Sequence, residues 1–169
     1  MIRSIAFDWG FTVMADIPDW KGPLVEAPHV EAMPGIRAAL EALRPHYRLM
    51  IATNAVYSNA QQVRAALARV GLDAYFDDIM TTLETGLSKP DPAYFAALLA
   101  RCGCAPHEAV LVGDTYPTDV AGAKQAGLRA VWYNWRGDPL PPDTRFEPDA
   151  VIREHAELPA AIRSLDGLR

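Results

Sequence analysis

Short apolar runs alternate along this chain with segments of helical periodicity. The clearest runs cover residues 2–7, 47–52, 110–113 and 129–133, with a weaker one at 78–82 and a short edge candidate at 149–152. Near-continuous apolar runs of this length are typical of strands that are buried on both faces of a parallel sheet. The pattern therefore predicts a parallel sheet of about five strands.

Helical patterns fill the intervals between these strands. The predicted helices cover residues 34–43, 58–70, 92–101 and 119–126. Ser58 is expected to cap the second helix, and Gly71 to end it. Because strands and helices alternate through short connections, we predict a single domain over residues 1–169 with a three-layer, doubly wound (Rossmann-like) α/β fold.

Two proline-rich stretches interrupt the alternation. Residues 14–33 include Pro18, Pro23 and Pro28, a spacing that is unsuited to helices, and residues 134–148 have a similar character. We expect residues 14–33 to form a flap, too small for a separate cap domain, and residues 134–148 to form a surface loop.

Composition excludes several classes of partner. The 169 residues carry a net charge of −5, so no broad basic surface is expected for nucleic acid or an anionic membrane. No apolar run approaches the roughly 20 residues that cross a bilayer. The first residues enter a strand without a signal-like segment, which predicts a cytoplasmic protein. Cys102 and Cys104 lack a four-ligand metal pattern and are expected to be reduced thiols.

Polar residues follow the predicted strands directly. Asp8 follows the first strand, Thr53 and Asn54 follow the second, and Asp114 follows the fourth. Ligands of open α/β sheets bind outside the carboxyl ends of the strands, so these side chains are placed for chemistry. Lys89 lies between the third and fourth strands, in a turn whose prolines fix the start of a helix.

Taken in order, these segments resemble the four motifs of the haloacid dehalogenase superfamily, a group of mostly magnesium-dependent phosphoryl-transfer enzymes. The resemblance spans residues 5–133. It implies a phosphohydrolase in which Asp8 is the nucleophile and forms an aspartyl-phosphate. Lys89 would neutralise charge shared by the nucleophile and the phosphate, and the Thr53 hydroxyl and the Asn54 backbone N–H would hold the phosphoryl oxygens.

The same resemblance implies a Mg²⁺ site. Its oxygen ligands would be the Asp8 and Asp114 carboxylates and the backbone carbonyl of Gly10. Asp119 would be an auxiliary ligand, and it is equally suited to cap the following helix. The expected partner is a small phosphorylated substrate or a phosphorylated macromolecule, and the expected assembly is a monomer or a homodimer.

One departure from the motif pattern bears on activity. Phosphatases of this superfamily carry a second aspartate two residues after the first, and here that position is Gly10. That aspartate is the general acid and base, worth roughly 10²–10⁴-fold in rate. The next position, usually glycine, is Phe11. Asp16 and Asp19 of the flap are candidate substitutes for the acid, although solvated loop charges are the commoner role for such residues.

Three explanations fit this departure. The protein is a phosphohydrolase whose substrate needs little acid help, such as an acyl phosphate or a phosphoanhydride. Alternatively, it performs dehalogenase or phosphonatase chemistry, although those enzymes use residues of a substantial cap. In the third explanation it is a catalytically impaired binding or regulatory protein. Its histidines, among them His46 and His155, share no motif and are expected at the surface.

Overall fold

The computed structural model describes residues 1–142 and 144–167. Its centre is a six-stranded sheet in the order β3-β2-β1-β4-β5-β6, with every pair of neighbours parallel. The strands are β1 (Ser4–Phe7), β2 (Arg48–Thr53), β3 (Asp78–Thr81), β4 (Ala109–Gly113), β5 (Arg129–Tyr133) and β6 (Ala150–Ile152). The predicted α/β class is confirmed, and the short edge candidate is the sixth strand.

The central strand β1 lies between β2 and β4. Ser4 is level with Arg48 on one side and with Ala109 on the other. Because all three strands run in the same direction and in this register, their carboxyl ends meet at one edge of the sheet. Residues that follow these strands are therefore neighbours in space.

Helices cover both faces of the sheet. They are α1 (Ile36–Leu43), α2 (Ala60–Arg69), α3 (Thr82–Thr85), α4 (Pro92–Cys102), α5 (Gly122–Gln125) and α6 (Leu158–Leu165). The apolar faces of α1, α2 and α6 share one buried cluster with Ile5 and Phe7 of β1. The apolar residues of α4 and α5 share a second cluster with Ala6, which points to the opposite face. The two clusters make the predicted three layers.

Some element boundaries differ from the sequence prediction. Helix α2 begins at Ala60 and is capped by Asn59, not by Ser58, because Asn59 and Gln62 exchange side chain-to-backbone hydrogen bonds in a capping box. Ser58 is buried instead. A π-helical turn, Tyr116–Ala121, precedes α5, so this helical region begins three residues before the predicted 119. Helices α3 and α6 were not predicted.

Residues 14–33 begin at the turn that follows β1, and their middle part lies against α2. They hold one antiparallel bridge, between Met14 and Ala32, and one 3₁₀ turn, Leu24–Glu26. Arg69 of α2 fastens this stretch, because its guanidinium donates hydrogen bonds to the carbonyl oxygens of Val25 at 3.0 Å and Ala27 at 2.5 Å. Among the residues described, no helix combines the length and the apolar character that crossing a membrane requires.

Candidate active site

A buried lysine joins two carboxylates below the carboxyl end of β1. The Lys89 ammonium donates hydrogen bonds to Asp8 Oδ1 at 2.8 Å and to Asp119 Oδ1 at 2.7 Å. The Lys89 and Asp119 side chains are 1% and 2% exposed, whereas that of Asp8 is 15% exposed. Asp8 is therefore the most exposed member of this trio.

The backbone of Lys89 is held from the end of β2. Asn54 Oδ1 accepts a hydrogen bond from Lys89 N at 2.8 Å, and Asn54 Nδ2 donates one to Lys89 O at 2.9 Å. This paired contact orients the lysine loop against the sheet, so Asn54 positions Lys89 in addition to its predicted backbone role. Asp91 then caps α4 by accepting from Ala93 N at 2.8 Å.

Burial and charge pairing act in opposite directions on the ionisation of Lys89 and Asp119. Burial by itself would lower the pKa of Lys89, but the Asp119 and Asp8 carboxylates outweigh it and raise the pKa above its usual value. Burial raises the pKa of the Asp119 carboxyl, with Lys89 opposing the rise. Lys89 is thus firmly cationic at neutral pH, as a group that neutralises an anion must be.

Asp114 follows β4 and lies beside the trio. Its Oδ2 accepts a hydrogen bond from Arg136 at 2.5 Å, and its Oδ1 accepts one from the Thr115 hydroxyl at 3.2 Å. Its backbone carbonyl accepts from the Trp132 indole N–H at 3.0 Å. Burial raises the pKa of Asp114, Arg136 opposes the rise, and the nearby Asp8 adds to it.

The carboxylates of this site form a candidate cation site. One oxygen each from Asp8, Asp114 and Asp119 lies within 4.8 Å of the others. The cations that contact these three carboxylates are Lys89 and Arg136, so the cluster keeps a negative charge. Hard oxygen donors with an excess of negative charge suit Mg²⁺, so the residues fit that ion.

The chain makes one tight helical turn directly after Asp8. The Trp9 carbonyl accepts hydrogen bonds from the backbone N–H groups of Thr12, Val13 and Met14. Phe11, at the position where the superfamily usually has glycine, adopts a left-handed backbone with φ of 54°. A non-glycine residue in this region is strained, so Phe11 holds at a cost a backbone conformation that glycine adopts freely.

His155 fastens this turn from below, contrary to the expectation of a surface histidine. Its side chain is buried, its Nε2 lies 2.7 Å from the Thr12 carbonyl oxygen, and its ring stacks at 4.0 Å on Tyr133. Burial lowers the pKa of His155 to about 4, which keeps the ring neutral. No motif marks this residue, because its role depends on a contact across the fold.

All of the predicted site residues line one cavity of about 510 Å³ at the carboxyl edge of the sheet. They are Asp8, Gly10, Thr53, Asn54, Lys89, Asp114 and Asp119. Their predicted roles stay predictions, since the cavity shows their proximity and not what they bind.

Arg136 is a residue of the cavity that sequence reasoning missed. Its guanidinium lies 4.6 Å from the Trp135 ring centre and 5.6 Å from that of Phe11, and the two rings are 5.7 Å apart. This stack closes one side of the cavity. Its only sequence signal is a Trp–Arg pair shortly after a strand that ends at the same edge as Asp8.

Comparison with known proteins gives concordant similarities. N-acylneuraminate-9-phosphatase of Rattus norvegicus is 32% identical over 148 residues, which are 87% of this chain and 57% of that protein. The chain thus spans little more than half the length of this curated relative. Among solved structures, an uncharacterized protein from Listeria monocytogenes serotype 4b has a TM-score of 0.85 with 26% identity, covering 99% of this chain and 100% of its own. A HAD phosphatase from Thermococcus onnurineus has a TM-score of 0.75 with 25% identity, covering 98% of both chains.

Residues 10–127, well over half of the chain, match the haloacid dehalogenase-like hydrolase family. The match begins at Gly10, two residues after Asp8, and continues through the π-helical turn that carries Asp119 and through α5 to residue 127. Fold, motif order and sequence similarity agree, and the chain belongs to the haloacid dehalogenase-like hydrolases.

Proposed function

We propose that this protein is a Mg²⁺-dependent phosphohydrolase that acts through an aspartyl-phosphate on Asp8. The observation that carries the proposal is the Asp8 carboxylate itself. It is the accessible member of an otherwise buried ion cluster, and a lysine 2.8 Å away holds it at the cavity. A fixed, accessible carboxylate beside a buried cation is arranged to attack an anionic phosphoryl group.

Each site residue has its own proposed role. Asp8 attacks phosphorus, and Lys89 offsets the charge shared by the carboxylate and the phosphoryl group. The Thr53 hydroxyl and the backbone N–H of Asn54 orient the phosphoryl oxygens. Phosphoryl transfer requires mainly this positioning and charge stabilisation.

Mg²⁺ is the proposed cofactor. Asp8, Asp114 and the Gly10 carbonyl would hold it, with Asp119 as an auxiliary ligand. The carboxylate cluster and its excess of negative charge support this assignment. When bound, the ion would supply electrostatic stabilisation of the charge on the phosphoryl group.

The proposed substrate is a small phosphorylated molecule, with a phosphorylated macromolecule as the alternative. The names of similar proteins support the first, since they include N-acylneuraminate-9-phosphatase and a HAD phosphatase. Residues 14–33 are proposed to be a flap or minimal cap over the site, within a single domain. Cytoplasmic location and a monomeric or homodimeric state complete the proposal.

Gly10 and Phe11 favour a second candidate, a catalytically impaired binding protein. Gly10 has no side chain that can donate a proton to the leaving group. The Phe11 ring lies beside the cavity, and its backbone is strained. Such a protein would bind a phosphorylated ligand in the same cavity without turnover.

A screen with Mg²⁺ separates the two candidates. Acetyl phosphate, p-nitrophenyl phosphate and alkyl monoesters are offered to the wild-type protein, to Asp8→Asn and to the matched flap variant Asp19→Asn. The phosphohydrolase proposal expects release of inorganic phosphate that Asp8→Asn abolishes and Asp19→Asn preserves. Thermal stabilisation by phosphate without any turnover would favour the binding protein instead.

A further inference from the structure

The space left by the missing aspartate side chain at Gly10 adjoins another carboxylate. A Cβ atom built on Gly10 would lie 3.9 Å from Asp16 Oδ2 and 4.0 Å from Asp16 Cγ. Carboxylate oxygens extend roughly 2.4 Å beyond their own Cβ by standard bond lengths. An aspartate side chain at position 10 that turned towards the flap would therefore enter the region in which the Asp16 carboxylate lies.

Contacts within the flap hold Asp16 in this orientation. Its Oδ1 accepts a hydrogen bond from Ile17 N at 3.0 Å, so Oδ2 is the oxygen nearest to Gly10. The preceding residue, Ala15, donates its backbone N–H to the Glu31 carbonyl at 2.9 Å, next to the bridge between Met14 and Ala32. Asp16 is thus displayed at the base of the flap.

Asp16 also lies where two cavities meet. It lines the cavity that contains Asp8 and Lys89, and it lines a second cavity of about 300 Å³ between the flap and residues 54–58. A monoester that places its phosphoryl group over Asp8 and extends into the second cavity has its bridging oxygen at this junction. The bridging oxygen is the atom that needs a proton when the ester bond breaks.

We propose that Asp16 is the general acid and base of this protein, in place of the aspartate that Gly10 lacks. The inference rests on the proposed phosphohydrolase function. In the first step an Asp8 oxygen bonds to phosphorus, and the P–O bond to the leaving group breaks. Its electron pair stays on the leaving oxygen, which takes the proton of the Asp16 carboxyl. The products are an alcohol, the aspartyl-phosphate and the Asp16 carboxylate.

In the second step Asp16 acts in reverse. Its carboxylate takes a proton from water as the water oxygen bonds to phosphorus. The bond between phosphorus and the Asp8 oxygen breaks, and its electron pair returns to the Asp8 carboxylate. Inorganic phosphate leaves, and Asp16 is again protonated for the next cycle.

The test compares leaving groups in the variant Asp16→Asn. Ethyl phosphate releases a poor leaving group that needs a proton, whereas acetyl phosphate releases a carboxylate that does not. Loss of a general acid should lower kcat/KM for ethyl phosphate by about 10²–10⁴-fold and that for acetyl phosphate much less. Asp19→Asn, another flap aspartate whose left-handed φ of 63° also suits asparagine, should match the wild type on both substrates.

A rescue variant keeps the test sharp if Asp16→Asn disturbs the flap. Gly10→Asp in the Asp16→Asn background should recover much of the ethyl phosphate activity, because the new carboxylate restores an acid at the same junction. In the wild-type background the same substitution brings two carboxylates together and should give little gain. Equal losses on both substrates, together with no recovery by Gly10→Asp, would overturn the role of Asp16.

The experiments distinguish failure of the Asp16 proposal from failure of the proposed phosphohydrolase function. If no substrate is hydrolysed in an Asp8-dependent way, both the phosphohydrolase and the Asp16 proposal are wrong. If Asp8-dependent hydrolysis is present and Asp16→Asn leaves the ethyl phosphate rate unchanged, only the Asp16 proposal is wrong.

A second, independent observation concerns the cavity next to Asp16. Its wall contains Trp9, Trp20 and Tyr57, with Trp20 and Tyr57 38% and 55% exposed. The Trp20 indole N–H donates to the Pro23 carbonyl at 3.3 Å, which fixes the ring. Trp9 is 6% exposed, and its indole N–H has no hydrogen-bond partner among residues 1–142 and 144–167.

We infer that this cavity takes the leaving group of the substrate and favours one with a flat, mostly apolar ring. The cavity is continuous with the phosphoryl cavity, since Gly10, Asp16, Thr53 and Asn54 line both. Aromatic walls suit a ring, and about 300 Å³ is the lower end of the volumes that bind small ligands.

Two esters with similar leaving oxygens test this inference. Both 2-phenylethyl phosphate and ethyl phosphate release a primary alcohol, so a difference in KM reports the ring. We expect at least about a tenfold lower KM for the phenylethyl ester. Trp20→Ala and Tyr57→Ala should each reduce that preference, whereas Val151→Ala, which removes an exposed apolar side chain on β6, should keep it. Equal KM values in the wild type, or an unchanged preference in both aromatic variants, would overturn the inference.

Discussion

The two sides of the cavity are built in opposite ways. The site floor, made of Asp8, Lys89 and Asp119, joins side chains from three separate elements by hydrogen bonds of 2.7–2.8 Å. The flap side, made of Gly10, Phe11 and Asp16, has one strained residue and one exposed carboxylate held by its own neighbour. The motif residues of the superfamily survive on the floor, and the departures from its pattern lie on the flap side.

This difference teaches where such a site tolerates change. A floor residue is buried and paired, so its loss leaves an uncompensated charge inside the protein. Asp16 of the flap is exposed to water, so its replacement changes chemistry at little cost in stability. The general acid is therefore the catalytic group that substitutions on the flap side can transfer from one residue to another.

The largest difference in the free energy of unfolding is expected between substitutions of Lys89 on the floor and Lys21 on the flap. Lys89→Met removes the cation from two carboxylates and should lower the free energy of unfolding by about 3–5 kcal/mol. Lys21→Met, at an exposed flap position, should change it by less than about 0.5 kcal/mol. Urea unfolding at neutral pH measures both. Equal values for the two variants would break the distinction between floor and flap.

Acid should weaken the support that His155 gives to the turn after Asp8. The folded pKa of His155 is about 4 against an ordinary value of 6.5, so the unfolded chain takes up a proton between these values and the folded chain does not. Stability from this group is therefore complete above pH 6.5 and is lost as the pH falls towards 4, by about 3 kcal/mol over the full range.

The variant His155→Gln isolates this effect, because glutamine does not titrate. Its unfolding free energy should depend less on pH than that of the wild type over this range. His46→Gln, at an exposed position, should keep the wild-type dependence. A pH profile that His155→Gln leaves unchanged would contradict the assignment.

A matched pair of glycines tests how tightly each side is packed. A Cβ at Gly113 would lie 2.3 Å from Asp119 Cγ, whereas one at Gly22 would approach no closer than 3.6 Å, to the Trp20 indole nitrogen. Gly113→Ala should therefore destabilise by about 2 kcal/mol through displacement of Asp119, and Gly22→Ala by less than about 0.5 kcal/mol. Denaturant midpoints with unchanged slopes measure the difference. A Gly113→Ala variant as stable as the wild type would show that Asp119 can shift without loss of stability.

The smallest effect is expected at Phe11. Phe11→Gly relieves a left-handed backbone, worth about 1 kcal/mol, and removes ring contacts with Trp135 and Arg136 of similar worth. The net change in the free energy of unfolding should be within about 1 kcal/mol. A loss of more than about 2 kcal/mol would mean that the aromatic stack, and not the floor, holds this edge of the sheet together.

The sequence predicted the site residues by two routes. Apolar runs identified the strands and placed Asp8 and Asp114 at their carboxyl ends, and the resemblance to the superfamily implied that these two strands are neighbours. Ordered motifs then supplied Lys89 and Asp119. The capping prediction was displaced by one residue, since both Ser58 and Asn59 suit an N-cap and only the turn geometry selects Asn59.

Contacts across the fold were beyond sequence reasoning. Arg136 reaches Asp114 from a loop after β5, and His155 reaches the Thr12 carbonyl from the residues before α6. Asp16 was one of two flap aspartates with equal claims, and its position beside Gly10, where the two cavities meet, separates it from Asp19. Each of these depends on distances that periodicity does not encode.

Trapping the covalent intermediate tests the central claim most directly. The protein is mixed with Mg²⁺ and acetyl phosphate, quenched in acid and digested, and its peptides are analysed by mass spectrometry. The account predicts one added phosphoryl group on the peptide that carries Asp8, and none in Asp8→Asn. It predicts more of this phosphopeptide in Asp16→Asn, because acetyl phosphate forms the intermediate without an acid and the variant lacks the base for its hydrolysis. A phosphoryl group on another residue, or phosphate release that persists in Asp8→Asn, would contradict the account.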